Sequence, residues 1–441
     1  MKAKLNLKEY IRNDNELFID RENWQKINVK YSKLYEQLHP PPLWPTNLNE
    51  SEVEKLKEKI RDEKRRLKEA ISDAIDDLPL PLLPITEEDA IEDFKNLVKF
   101  NSRTLLRKNS LHTKAEYRYD LSDWYLSNSN VGRGSSNYFH QEARFAAKHV
   151  RFDSPLDSWT TKKIHQEFLE PLWTMKMDHV NWHTLRECIV LRKYLASQFP
   201  PAVAKELYNL FEAKHILDFS MGWGDRLAGF HASNAETYYG TDPNIAVYKN
   251  YQNQNKLYGT TKTTVFKNSP AEDLELSNEK FDMIFTSPPY FNVEQYSTDE
   301  SQSYKRYGSD IDLWLKDFLF ATIDKCWNSL EDKGTMIINI SDIKMKENEH
   351  QMEEWIDIWE KKLTEVYVWK PHNYIDGRNY RDIKGQKQTT CGRPLKGPLN
   401  VAASGKAHVC CFDFNKLMVV GDAKTMTIKE IMDSQEMKKI H

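Results

Sequence analysis

Nowhere in this 441-residue chain does an apolar run approach the roughly 20 residues that span a bilayer, so no membrane-crossing helix is expected. Cysteine is scarce as well. The five residues, Cys188, Cys326, Cys391, Cys410 and Cys411, are odd in number and form no CxxC pair. That argues against a disulfide framework or a zinc site and for free thiols in a reducing compartment, and no metal is expected. Charge of one sign is also lacking. With 29% charged residues the net charge is only −3, so the chain as a whole is not a basic nucleic-acid binder and any such surface must be local. The opening MKAKLNLKEYIRNDNELF is charged and lacks the apolar stretch of a signal peptide, which makes a soluble, cytoplasmic protein the expectation. Nothing in the sequence speaks to oligomeric state.

What is present suffices for more than one core. Hydrophobic residues make up 39% of the chain and aromatics 12%, and the length suits two or three domains. Residues 1–38 read as helical. The segment 50–78 carries Val53, Leu56, Ile60, Leu67, Ile71, Ala74 and Leu78 at helical spacing among charges, and 86–108 reads as another helix. A helical accessory region over 1–110 follows. Residues 111–195 are read as mixed, irregular to about 160 and helical beyond. Within them NVGRGSSNYFHQEARF (130–145) sets a Gly-Ser loop beside Arg133, Tyr138, Phe139, His140 and Arg144, a candidate nucleic-acid contact or an ordinary core-edge loop.

From residue 214 the pattern changes. HILDF (215–219), TYYGTD (237–242), TTVFK (263–267), FDMIFT (281–286) and GTMIINI (334–340) read as strands, with helices at 225–232, 244–257 and 312–330 between them. Strand–helix alternation predicts an α/β fold, a parallel Rossmann-like sheet with helices on both faces. VYVWKP (366–371) and HVCCFDF (408–414) are candidates for further strands. The catalytic domain is therefore placed at 196–415, with a tail at 416–441.

Two constellations carry chemistry. In LDFSMGWGDRLAGF (217–230), Asp218 ends a strand and Gly222 and Gly224 form a tight turn before a helix, where backbone N–H groups can meet a ligand closely. Asp242 lies 24 residues on, at the end of the next strand, the position from which a carboxylate holds ribose hydroxyls. The third glycine of a dinucleotide fingerprint is missing, since Leu227 stands there, which tells against a nicotinamide oxidoreductase. Glu272 and Asp273 follow the third strand and are candidates to accept from an adenine amino group, or are simply helix-start acids. The second constellation is Ser287-Pro288-Pro289-Tyr290, a stiff turn at the end of the fourth strand, on the same rim. A Ser287 hydroxyl and a Pro288 carbonyl can grip the two hydrogens of a planar exocyclic amino group and localise its lone pair, while Tyr290 stacks on the base. A base inside a duplex must be flipped out to reach such a turn.

These residues resemble the S-adenosylmethionine-dependent amino-methyltransferases that modify cytosine N4 or adenine N6 in DNA. The catalytic motif of that family is Asp, Asn or Ser, then Pro-Pro, then an aromatic. Its cofactor loop, roughly D-x-F-x-G-x-G, is matched by 218–224 with Ser220 in place of the central aromatic. FPPAVAKELYNLF (199–211) is similar to its additional cofactor motif, with Phe199 and Pro200 covering the methionine end. The resemblance implies Asp218, Ser220, Gly222, Trp223, Gly224, Asp242, Glu272 and Asp273 as cofactor residues, with Trp223 equally open to a packing role. Serine at the first motif position is typical of cytosine-N4 members. The cofactor-first motif order is shared with RNA-modifying relatives, so adenine N6, RNA bases and a non-catalytic nucleic-acid-binding relative remain alternatives. Restriction–modification is one expected setting. Finally, 370–406 holds eight Lys and Arg against two acids, a balance of 8 − 2 = +6. Lys370, Arg378, Arg381, Lys384, Lys387, Arg393 and Lys396 are the candidate phosphate contacts for DNA, or RNA as the alternative.

Overall fold

The computed structural model describes residues 5–39, 48–108, 124–276 and 279–340, together with the strands Asn400–Val401, Lys406–His408 and Val419–Asp422. The chain divides into two compact units, one of residues 1–81, 158–192 and 380–441 and the other of 82–157 and 193–379. The boundaries expected from sequence lie at 110, 195 and 415, and the compact units divide at 81, 157, 192 and 379.

The first unit is built on α1 (Arg21–Leu38) and α2 (Glu50–Ile75). A capping box starts α2: the Asn49 side chain accepts from the Glu52 N–H, and Glu52 reaches back to Asn49 N. Its apolar stripe, Leu56, Ile60, Leu67, Ile71 and Ala74, is buried with Trp24, Phe168, Leu172 and Ile189. Ahead of α1 the chain departs from the helix expected over 1–38. Ile11–Arg12 and Glu16–Leu17 pair antiparallel, and Asn13 and Asp14 turn between them at φ of 50° and 55°. Both are short polar residues that tolerate the left-handed region, so they favour a hairpin turn over a helix. The strands Asn400–Val401, Lys406–His408 and Val419–Asp422 form a separate antiparallel sheet. Of the strand expected over 408–414 only His408 is among the described residues, and it lies in this separate sheet; 366–371 lies outside the described residues.

The second unit opens with α3 (Glu87–Lys99), shorter than the helix expected over 86–108, and α4 (Arg133–Ala146). The latter corrects the Gly-Ser loop expected at 130–145: Gly132, at φ 89°, turns the chain into a helix that buries Ser135, Ser136, His140 and Phe145. Lys205, on α5 (Pro201–Leu210), ties α5 to α3. Its Nζ donates to the carbonyls of Leu97 at 2.9 Å, Val98 at 2.8 Å and Phe100 at 2.7 Å, groups a helix C-terminus leaves without partners.

The sheet follows in βα alternation: β1 (His215–Asp218), α6 (Asp225–Ala232), β2 (Thr237–Thr241), α7 (Ile245–Tyr258), β3 (Thr263–Lys267), β4 (Phe281–Thr286) and β5 (Leu330–Ile338). All pairings are parallel, in the order β5-β4-β1-β2-β3. Both faces are covered. Ile216, Tyr238, Met283 and Phe285 pack with Tyr208, Leu227, Phe230 and Tyr251 on one side. Leu217, Tyr239 and Ile284 pack with Trp314, Phe318 and Ile323 of the helical stretch 311–328 on the other. This is the Rossmann-like α/β architecture expected from the strand–helix alternation. Strand order reverses at β1, with β2 on one side and β4 on the other, and at such a switch point the crevice beyond the strand ends receives a ligand.

Candidate active site

The carboxyl end of β1 is fixed by a buried ion pair. Arg226 Nε donates to Asp218 Oδ2 at 2.7 Å and Nη2 to Oδ1 at 3.2 Å, and Asp218 is wholly buried. Tyr238 Oη (2.6 Å) and Thr286 Oγ1 (3.0 Å) also donate to this carboxylate, as does Ser220 N at 3.2 Å. Burial opposes the Arg226 charge, but the adjoining carboxylate more than offsets it and holds the guanidinium protonated. Asp218, expected as a cofactor residue, thus spends its oxygens inside the protein. It stitches β1 to β2 through Tyr238 and to β4 through Thr286. Ser220 contributes its backbone to the same brace, its carbonyl accepting from Arg226.

The glycine turn stands on this brace. Gly222 and Gly224 adopt φ of 60° and 70°, the left-handed region where side chains are strained. A Cβ on Gly224 would lie 2.2 Å from Gln254 Oε1 and 2.8 Å from His140 Nε2. Those neighbours hold the turn: Gln254 Nε2 donates to Gly224 O (2.8 Å), His140 Nε2 to Gln254 Oε1 (3.0 Å), and Tyr251 Oη to Gly222 O (2.6 Å). Burial lowers the His140 pKa to about 4, so the ring is neutral. Trp223 is turned into the protein, its indole N–H on Ser197 O at 2.9 Å and its ring edge-on to Tyr296 at 5.8 Å.

Asp242 ends β2 with Oδ2 accepting from Gly222 N at 2.8 Å and Oδ1 from Asn244 N at 2.9 Å. Burial pushes its carboxyl up to about 6 against these two hydrogen bonds. Asp225, at the start of α6, is pushed up to about 7 by burial although Gln198 Nε2 donates to it at 2.9 Å. Phe199 lies edge-on to Phe285 of β4 at 5.3 Å, and Pro200 caps the start of α5 beside it.

Glu272 and Asp273 sit under Arg306. Its Nη1 donates to Glu272 Oε1 and to Asp273 Oδ1, both at 3.0 Å, and Nη2 to Asp273 Oδ2 at 2.6 Å. Tyr307 Oη adds a bond to Glu272 Oε1 at 2.9 Å. Asp273 is thereby occupied. Glu272 keeps Oε2 buried with no partner among the described residues.

The Ser-Pro-Pro-Tyr turn leaves β4 directly beyond Thr286. Ser287 Oγ and Tyr290 Oη lie 3.4 Å apart, and both are reached by Asn339 Nδ2, at 3.1 Å and 3.3 Å. Asn339 follows β5, the strand beside β4, and is a site residue that sequence reasoning missed: it belongs to no motif, and adjacency to Ser287 across the sheet is its only signal. After Tyr290 the chain bends back at Phe291 (φ 54°), whose ring is buried against Trp314 at 5.7 Å. Glu294 then anchors the following segment. It is buried, and it accepts from Tyr194 Oη, from Ser197 N at 3.2 Å and from Tyr296 Oη at 2.5 Å. Asn244 Nδ2 donates to Tyr296 O at 3.3 Å, so the segment after the turn crosses back to the end of β2. Lys370, Arg378, Arg381, Lys384, Lys387, Arg393 and Lys396 lie outside the described residues.

No curated protein matches the chain. A solved methyltransferase homolog protein from Pyrococcus horikoshii is similar at 15% identity, over 31% of this chain and 41% of that one, with a TM-score of 0.22. The chain thus spans less than half of that protein. Residues 391–441 match an iron–sulfur cluster-binding domain termed SPASM. That segment holds three cysteines, Cys391, Cys410 and Cys411, where a cluster takes four thiolates. The other two, Cys188 and Cys326, are buried, and burial pushes both thiols up to about 12. The thiols present do not fit a four-thiolate cluster. Residues 281–389, which begin with β4 and include the Ser-Pro-Pro-Tyr turn, match the model of the N6/N4 DNA methylase family.

Proposed function

We propose that this protein methylates the exocyclic amino group of a DNA base, cytosine N4 in the first place and adenine N6 in the second, with S-adenosylmethionine as cofactor. The observation that carries the proposal is the 3.0 Å bond from Thr286 Oγ1 to Asp218 Oδ1. It locks the strand end bearing Ser287–Tyr290 to the strand end bearing the glycine turn, at the point where strand order reverses. The cofactor, when bound, supplies an electrophilic methyl on a sulfonium.

The residues present suit that cofactor. Asp242 offers a carboxylate for ribose hydroxyls, Gly222 and Gly224 leave room for close approach, and Phe199 with Pro200 suits the methionine end. Glu272 Oε2 is an acceptor for an adenine amino group. At the catalytic turn, Ser287 Oγ and the Pro288 carbonyl take the two amino hydrogens of a flipped-out base, and Tyr290 stacks on its ring. Localising the nitrogen lone pair is positioning catalysis, worth far more on a rigid Pro-Pro turn than on a mobile loop. The amino proton leaves to water. The basic residues of 370–396 suit phosphate contacts, and marking of a genome by site-specific methylation, as in restriction–modification, suits the whole.

Nucleoside mass spectrometry after incubation with S-adenosylmethionine and mixed-sequence DNA or RNA tests this. N4-methylcytosine in DNA is the expected product. N6-methyladenine keeps the enzyme class and shifts the base. A product in RNA alone moves the substrate, and no product despite bound cofactor overturns the catalytic assignment.

A further inference from the structure

We infer that Asn339 is a positioning residue that makes Ser287 a pure hydrogen-bond acceptor toward the target amino group. This rests on the methyl-transfer reading above. Asn339 N donates to Thr286 O at 2.9 Å, which extends the β4–β5 ladder and seats Asn339 beside Ser287. Two further contacts then settle the serine hydroxyl. Its proton goes to the Asn339 main-chain carbonyl at 3.2 Å, and Asn339 Nδ2 donates to Oγ at 3.1 Å. A hydroxyl has one proton and two lone pairs. With the proton committed and one lone pair filled, a single lone pair remains to receive an amino N–H.

The alternative hydroxyl orientation shows why this matters. A Ser287 proton aimed at the substrate would bond to the nitrogen lone pair that must attack, and would oppose transfer. Tyr290 Oη, 3.4 Å from Oγ, is a competing acceptor that a free hydroxyl would also sample, and its own proton must point away from Oγ for the last lone pair to stay open. The Asn339 amide reaches Tyr290 Oη at 3.3 Å as well, so one donor holds both motif side chains. An aspartate in place of Ser287 carries no proton at neutral pH and has no need of such a device.

The test is single-turnover methylation by Asn339→Ala, Ser287→Ala and the double variant, alongside cofactor affinity by calorimetry. Asn339→Ala keeps the main-chain carbonyl that accepts the Ser287 proton and removes the Nδ2 donor that holds Oγ and Tyr290 Oη in place, so it is expected to slow transfer about 10- to 100-fold, the scale of a misplaced reacting group. Cofactor affinity should stay within about twofold, because the lost interaction belongs to the transfer step. In the Ser287→Ala background the same change should cost less than about twofold more, since residues acting as one unit are not additive. Asn339→Leu, which fills the volume without a donor, should behave as Asn339→Ala and keeps the test sharp if the smaller side chain unfolds the protein. Transfer by Asn339→Ala at the wild-type rate, or losses that multiply in the double variant, overturns the role of Asn339 alone. A wild-type protein that methylates neither DNA nor RNA overturns the functional reading and this inference together.

Discussion

Arg226 Nε lies 2.7 Å from Asp218 Oδ2 in a pocket where the aspartate is fully buried and the arginine 4% exposed. The pair joins the first turn of α6 to the end of β1, and through Thr286 to the catalytic strand. Removing one partner strands a charge in the protein interior, at a cost of about 3–5 kcal/mol. Arg226→Ala should therefore lower stability by that order in denaturant unfolding. A loss comparable to that of an exposed ion pair would show that the brace does not hold the rim.

Gly224→Ala should be worse than Gly222→Ala. Both residues sit at positive φ, which costs a side chain about 1–2 kcal/mol. A Cβ on Gly222 would meet Ser220 O at an ordinary 4.0 Å, whereas one on Gly224 would clash with Gln254 Oε1 at 2.2 Å and His140 Nε2 at 2.8 Å. Overpacking of that kind adds about 1–3 kcal/mol. Thermal melts of the two variants should rank accordingly, with cofactor affinity following the same order. Equal melts would mean that Gln254 and His140 yield freely.

Cofactor binding should strengthen as pH rises through about 6. Burial raises the Asp242 carboxyl to about 6 from its ordinary 3.8, and only the ionised form offers both oxygens to ribose hydroxyls. The sign for stability is opposite. A raised folded-state value means that the native state binds the proton more tightly than the unfolded one, so this group's contribution is full below about pH 4 and is lost as pH rises through about 6. Calorimetric affinity measured between pH 5 and 8 should show the rise, and Asp242→Asn should flatten it. Asp225→Asn is the control, because Asp225 is pushed up to about 7 and titrates nearby. A flat profile in the wild-type protein would sink the ribose role.

Tyr290→Ala should cripple transfer while cofactor affinity survives, whereas Asp242→Ala should weaken cofactor affinity first. Loss of base stacking is worth about 1–3 kcal/mol of nucleic-acid binding and also frees the base from its in-line pose. Tyr290→Phe should keep most activity, because the ring stacks and Asn339 Nδ2 still reaches Ser287 Oγ. Cofactor loss in Tyr290→Ala would place the ring in the wrong pocket.

Local signals in the chain suffice to place the sheet strands along it and to mark the two motif turns. The five strand positions, the helix over 225–232 and the turn at 287–290 were legible because apolar runs, glycine and proline act within a few residues of themselves. What the side chains at those positions do follows from contacts between segments far apart in the chain. Asp218 carries the signature of a ligand residue, yet Arg226, Tyr238 and Thr286 consume it from three other elements. Glu272 and Asp273 meet Arg306 from more than thirty residues away. His140 lies in a stretch whose glycines and serines read as a loop, and it stands in a helix against the glycine turn. Asn339 had no motif to announce it. Each of these partnerships joins residues that are distant in the chain, and which strands lie side by side is settled by burial of whole apolar faces. That information is spread over the entire fold and is carried by no single stretch of sequence.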